Sequence, residues 1–310
     1  MLKLVVVVTL SLWTASAAQE PARTVTYGRD YGSRALPAFD KGYLLFTNEP
    51  GGIEVWGPDG RLVFQKILTN PPSAHVMSLA VDSDGTVAVG VAYAGALQGY
   101  EGGIAILDRS GKELRFVETD RYLPSHVCFD AKHALWTFGW QRDMGIGAED
   151  SRDYFLFRKY SVDGKQLGAY ALRSLFPRPG LEPGYSSLGL WRLRISDDRI
   201  GAIAYSGRTS EIPEWIEVGL DGSLIGHWKL GPYQSGGMAF TSSNDLCTHV
   251  GGRIDCFDRV AQAWKTLSST SANDENGRPL GILLGADGEY LVFGKEYGGL
   301  RLSWVHAPLQ

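Results

Sequence analysis

The sequence predicts an all-β fold, a six-bladed β-propeller of four-stranded blades whose last blade is closed by the N-terminal strand. Three observations carry this. A strand-turn-strand cassette returns about every 50 residues, the mark of an array of similar units. A second cassette alternates with it. The last unit is one strand short, and a strand-like segment near the N-terminus is available to complete it.

The first cassette reads as an outer hairpin. It is clearest in Ile53 to Phe64, with a turn at Asp59-Gly60. It returns in Ile104 to Phe116, in Phe157 to Leu167 with its turn at Asp163-Gly164, and in Ile216 to Ile225 with its turn at Asp221-Gly222. Ile254 to Leu267 is a degenerate fifth copy. The second cassette, an inner hairpin, is clearest in Ser78 to Gly90 and Leu283 to Phe293. Weaker copies are Ala38 to Phe46, Val127 to Phe138, Leu193 to Ala204 and Met238 to His249. Six inner hairpins, five of them followed by outer hairpins, give blades of four strands. The sixth unit ends at Leu300 to Val305, so Arg23-Thr-Val-Thr-Tyr27 is expected to supply its fourth strand and remove two open edges. A seven-bladed ring is the alternative, but no seventh hairpin is found.

The Asp82-Ser-Asp-Gly85 turn and the outer turns at Asp59, Asp163 and Asp221 resemble those of the broad family of six-bladed propellers that includes NHL-repeat and TolB-like proteins. The resemblance covers nearly the whole chain after residue 18 and implies the fold. Repeated Trp-Asp endings of the WD type are absent, as is a Tyr-Trp-Thr-Asp motif.

Residues 1–18 read as a secretory signal peptide, and residues 19–310 as one propeller domain. Lys3 is the positive start, Leu4 to Trp13 the apolar core and Ala15-Ser16-Ala17 the cleavage site. The apolar run falls short of the about 20 residues that a membrane span needs. No cysteine follows the cleavage site, as a lipid-anchored lipoprotein would require. A periplasmic or secreted protein with no membrane insertion is expected. Net charge is -4 and no block of five Lys or Arg occurs, which argues against a nucleic-acid partner.

The cysteines test this address. Gly251-Gly252 between two strand-like runs is a two-residue hairpin signal. In that register Val250 faces Arg253 and Cys247 faces Cys256 at a non-hydrogen-bonded position, where Cα atoms approach to about 4.5 Å. A cross-strand disulfide is expected, favoured by an oxidising compartment. Cys128 is expected to be an inert core residue.

In a propeller the A–B and C–D turns share one face, and the B–C and D–A connections share the other. The first set here are tight Asp-Gly turns. The second set are long: Ala92 to Gly103, Gly139 to Asp153, Arg173 to Leu188, Tyr205 to Pro213 and Ser268 to Pro279. Long loops on a rigid scaffold carry function more often than tight turns do. The candidate ligand-binding residues are therefore Tyr93, Tyr100, Trp140, Arg142, Asp143, Tyr205, Arg208 and Tyr297. Rings that stack and charges that orient suit a polar small molecule, a glycan, or a peptide or protein partner.

Competing chemistries find less support. His75 and His126 can be placed near adjacent blade entrances, but no H-x-H, H-E-x-x-H or C-x-x-C motif accompanies them, so neither a metal site nor a cofactor is expected. Asp82 to Gly85 lacks the distal glutamate of an EF-hand. No G-x-S-x-G elbow occurs. Carboxylates gather at Asp143, Glu149, Asp150 and Asp153, interleaved with Arg142 and Arg152 as in ordinary ion pairing. Calcium lactonases of this architecture use a carboxylate on the first inner strand, and Arg34 to Phe39 has none. The expectation is a non-catalytic binding propeller. The alternatives are a hydrolase-, lyase- or lactonase-type enzyme with its site at the channel mouth, and a subunit of a cell-envelope assembly.

Overall fold

The computed structural model describes residues 23–27, 38–48, 51–94, 100–141, 153–175, 193–204, 214–230, 238–241, 243–250, 253–269, 281–284, 289–296 and 299–306. Strand β1 (Arg23–Tyr27) opens the chain and belongs to the last sheet. Then β2 (Ala38–Asp40), β3 (Tyr43–Asn48), β4 (Gly52–Trp56) and β5 (Leu62–Ile67) form one antiparallel sheet in sequence order. The pattern repeats in β6 (His75–Val81), β7 (Val87–Ala94), β8 (Tyr100–Leu107) and β9 (Glu113–Glu118). It repeats again in β10 (Tyr122–Phe129), β11 (Leu135–Gln141), β12 (Phe155–Tyr160) and β13 (Gln166–Leu172). The next sheet holds β14 (Leu193–Ile195), β15 (Arg199–Ala204), β16 (Glu214–Gly219) and β17 (Leu224–Lys229). After it come β18 (Met238–Phe240), β19 (Leu246–Val250), β20 (Arg253–Asp258) and β21 (Ala263–Ser269). The last sheet takes β22 (Gly281–Leu284), β23 (Glu289–Glu296) and β24 (Gly299–His306), with β1 added against β24 so that Arg23 faces Trp304 and Tyr27 faces Leu300.

The first strands of successive sheets touch in order, β2 to β6, β6 to β10, β10 to β14, β14 to β18 and β18 to β22. The sheets therefore stand side by side, and the core lies in the seams between them. Leu45, Ile53 and Val55 meet Leu79, Val89 and Ala105 in the first seam. Ala88 and Ile106 meet Phe129 and Leu135 in the second. Trp136, Phe138 and Phe157 meet Ile200, Ala202 and Ile216 in the third, and Trp215 meets Leu246 and Phe257 in the fourth. A strand covered on both faces has no solvent side, so β10 is buried at every residue. The outer strands show the opposite: in β5 the exposed Leu62, Val63, Gln65 and Ile67 flank a buried Phe64.

The Asp-Gly turns have one mechanism. In the C–D turn of the first sheet the Gly57 amide donates to Arg61 O (2.8 Å), the Gly60 amide donates to Gly57 O (3.0 Å), and Gly60 sits at φ +78°. A type I turn followed by a left-handed glycine gives a bulged hairpin, and the register slips at Val55/Trp56. Gly111, Gly164 and Gly222 repeat the arrangement at φ +84°, +83° and +94°.

Glycine is used differently along β10. This strand is bulged between Leu123 and His126, which presses its backbone against its neighbours. A Cβ on Gly102 would lie 1.8 Å from Tyr122 O, and one on Gly139 would lie 2.1 Å from Leu123 O. Beside them Tyr122 is fully buried, its hydroxyl donating to Leu156 O at 2.9 Å, with the Arg158 guanidinium over its ring. Gly139→Ala is expected to destabilise the fold by about 1–3 kcal/mol, the usual penalty for overpacking. The urea midpoint measures it, and an unchanged midpoint would refute the close approach.

The cysteine register is as expected. Val250 faces Arg253, Cys247 faces Cys256, and the two form a disulfide with Cα atoms 4.0 Å apart. Cys128 is buried in the third seam. Reducing the Cys247–Cys256 bond is expected to lower unfolding stability by at most about 2–3 kcal/mol, the entropy of a short closed loop. Urea unfolding with and without reductant measures the loss.

Candidate functional site

The two faces of the array are built differently. On the Asp-Gly face, charged side chains cross from sheet to sheet. Asp82, in the β6–β7 turn, is 1% exposed and accepts Lys41 Nζ at 2.9 Å from the preceding sheet and His133 Nδ1 at 2.8 Å from the following one. Asp40 accepts the Val81 amide at 3.0 Å. Asp130 receives Trp136 Nε1 at 3.0 Å and Lys159 Nζ at 3.2 Å. Glu217, fully buried, takes Trp215 Nε1 at 2.8 Å, Arg199 at 3.3 Å and Arg259 from the next sheet.

His133 and Asn244 explain how the crossing is made. Each occupies the turn position that Gly85 holds in the β6–β7 turn, with the same amide-to-carbonyl bond and a left-handed φ of +64° and +65°. A side chain at that position reaches back to the aspartate of the preceding sheet. His133 meets Asp82, and Asn244 Nδ2 donates to Asp198 Oδ1 at 3.1 Å. The backbone strain of a non-glycine residue there is offset by a hydrogen bond across the seam.

Burial alone would push the Asp82 carboxyl up, but hydrogen bonds from Lys41, His133 and the Ser83 amide outweigh it and hold the group below its ordinary 3.8. A depressed carboxyl contributes stability above its unfolded value and loses that contribution as pH falls through the folded value. Asp82→Asn is therefore expected to cost roughly 2–3 kcal/mol at pH 7, since one partner of a buried pair is removed. The deficit should shrink once the pH is taken below 3.8. Urea midpoints of both proteins at neutral and acidic pH test this, and a deficit independent of pH would refute it.

The candidate residues that are described, Tyr93, Tyr100 and Trp140, lie at strand ends that lead into the connections of the opposite face. The connection expected over Ala92 to Gly103 is mostly strand: β7 runs to Ala94 and β8 begins at Tyr100, leaving only 95–99 between them. Tyr93 is thus a strand residue, half-buried, facing Glu101 across the β7–β8 pair, with its ring edge-on to Phe116 at 5.9 Å. Burial first, then Glu101, Glu118 and Asp120, push its hydroxyl up to about 12, so it stays protonated and donates to Glu101. Tyr100 opens β8 opposite Ala94. Trp140 is 5% exposed and stands in the buried cluster with Leu123 and Tyr154. Arg142, Asp143, Tyr205, Arg208 and Tyr297 lie outside the described residues.

Of the acidic stretch before β12, only Asp153 is described, and it accepts the Ser174 amide at 2.9 Å and the Ser174 hydroxyl. The two histidines differ. His75 is exposed at the start of β6, whereas His126 is buried in β10 with its ring 6.1 Å from that of Phe138. Among the described residues no three His, Cys, Asp or Glu side chains are placed to hold a metal ion. Asp40 ends β2, but its carboxylate serves the Val81 amide on the Asp-Gly face. Glu101, Glu118 and Asp120 are additions to the expected set. The β7–β8 register, which the sequence treats as a loop over Ala92 to Gly103, places Glu101 opposite Tyr93. Glu118 and Asp120 come from the end of β9 and the residues that follow it.

Solved structures of similar shape are propellers. The chain aligns with an aldose sugar dehydrogenase from Escherichia coli at 12% identity, over 91% of this chain and 99% of that one, with a TM-score of 0.52. It aligns with a gluconolactonase from Xanthomonas campestris at 15% identity, over 94% and 93%, with a TM-score of 0.50. The Pan2 WD40 domain of Neurospora crassa aligns at 9% identity over 89% and 76%, with a TM-score of 0.51. The chain has a β-propeller fold. No protein-family model and no curated protein sequence matches it. The likeness to a WD40 domain extends to a chain without repeated Trp-Asp endings. Among the described residues no helix is long and apolar enough to cross a membrane.

Proposed function

We propose that this chain is an exported six-bladed propeller, closed by β1 on β24, that holds a polar, hydroxyl-bearing ligand such as a glycan on its long-loop face. The observation that carries this is the setting of Tyr93. A half-buried ring stands among Glu101, Glu118 and Asp120, while charged groups of the opposite face are engaged in bonds between sheets. Rings of this kind stack on sugar faces, and carboxylates accept hydroxyl hydrogen bonds. A tyrosine pushed up to about 12 is a donor at neutral pH rather than a base, which favours holding a ligand over deprotonating one. Tyr100, Arg142, Asp143, Tyr205, Arg208 and Tyr297 are proposed as further contacts, with Trp140 as part of the wall behind them. The disulfide and the leader-like residues 1–18 support export to an oxidising compartment. The sugar-acting enzymes of similar shape support the architecture alone.

A thermal-shift screen with neutral and amino sugars, oligosaccharides, short peptides and divalent metals tests the proposal. One polar ligand is expected to raise the melting temperature, since a ligand at 100 times its Kd stabilises by about 2.7 kcal/mol. Tyr93→Ala should abolish that rise, and Asp84→Ala on the other face should keep it. No shift with any ligand would count against the proposal. Product formation in the same mixtures would move the site to the enzyme reading.

A further inference from the structure

We infer, resting on the role proposed for Tyr93, that Phe116 is a positioning residue of that site and that Gly103 is the slot through which it acts. Alternate residues of a strand share one face of its sheet. The register of β7, β8 and β9 therefore sets three rows on one face. Tyr93 stands beside Glu101, Val91 beside Gly103 and Glu118, and Val89 beside Ala105 and Phe116. Phe116 is thus two rows from Tyr93, with Gly103 at the centre of the row between them. The two rings meet across that row, with centroids 5.9 Å apart and planes at 64°.

The missing side chain at 103 permits this meeting. A Cβ there would collide with Phe116 Cζ and lie 2.8 and 2.9 Å from its two Cε atoms. Any other residue at 103 would expel the far end of the ring. The neighbouring Gly102 serves the other face of β8, where it admits the β10 backbone, so the two glycines have separate duties. Both rings are half-buried and pack on the apolar cluster of the first seam. Phe116 reaches Tyr93 from the outer strand, and Glu101 accepts the Tyr93 hydroxyl from the facing position on β8. A ring held at two points is ordered before a ligand arrives, so binding is spared the entropy of fixing it. Shelter by Phe116 is also part of the burial that, ahead of the carboxylates, pushes the Tyr93 hydroxyl up to about 12.

Phe116→Leu tests the hold, because leucine ends short of the Cε and Cζ atoms that fill the slot yet stays apolar. The readout is the ionisation of Tyr93 by NMR of carbon-labelled tyrosine, with Tyr93→Phe identifying its resonance. At about pH 11, between the ordinary 10.0 and the raised value of about 12, wild-type Tyr93 should stay protonated. In Phe116→Leu it should be largely ionised, with circular dichroism unchanged. A Tyr93 that ionises alike in both proteins overturns the inference. Gly103→Ala tests the slot: it should free Tyr93 to ionise at the same pH. Added to Phe116→Leu, it should change neither Tyr93 nor the urea midpoint further. Gly103→Ala with Tyr93 still protonated, or a double variant as damaged as Gly103→Ala alone, overturns the slot. Cellobiose and glucosamine are the ligand probes. Whichever raises the wild-type melting temperature should bind Phe116→Leu about 2–10-fold more weakly, the loss of one aromatic pair. An unchanged affinity overturns the positioning role. Tyr93 ionisation is read without ligand, so a held ring in a chain that neither sugar stabilises counts against the proposed function and not against the hold.

Discussion

Every seam of this array contains atoms from two sheets, and a carboxylate buried there must be satisfied, within its own sheet as Asp130 is or across the seam as Asp82 and Glu217 are. That constraint organises the described structure. Asp82 is held by Lys41 from the sheet before it and by His133 from the sheet after it. Glu217 is held by an arginine of its own sheet and by Arg259 of the next. Apolar contacts fill the rest of each seam and supply most of the stabilisation, but they tolerate sliding. A buried charge does not, because losing one partner costs several kcal/mol. The carboxylates thus set how one sheet lies on the next.

The same constraint divides the two faces. On the Asp-Gly face, turn aspartates are occupied in capping their own turns or in binding the neighbouring sheet, and short bulged hairpins leave little chain to vary. The opposite face carries the longer connections and Tyr93, which stands beside Glu101, Glu118 and Asp120. The proposed function is placed on that face because scaffold chemistry has already claimed much of the other. The bulges in β6 and β10 fit this division: they interrupt the ladders toward the ends of those strands that face the long connections.

Much of the fold was legible because its signals are local. The left-handed glycine of an Asp-Gly turn, the alternation of the outer strands and the Cys247–Cys256 register depend on residues a few positions apart. The candidate site was legible only in part. Tyr93 was identifiable as an aromatic on the long-connection face, but its place inside β7 was not, since the hairpin extends further than the glycine-rich sequence suggests. Trp140, expected at a loop, is buried because β11 continues to Gln141 and carries it into the third seam. His126 was read as a possible partner of His75, but the bulge of β10 carries it into the core. His133 and Asn244 gave no signal, because a polar residue in a turn reads as solvated.

By itself the sequence determined the repeating cassette, the turn chemistry, the cysteine pairing and the contrast between short and long connections. Each of these rests on backbone preferences and hydrogen bonds that close within a few residues. Only the tertiary structure decided which side chains cross the seams, which aromatics face solvent and which carboxylates gather at Tyr93. Those outcomes depend on the twist and spacing of sheets about 50 residues apart in the chain, where no local preference reaches.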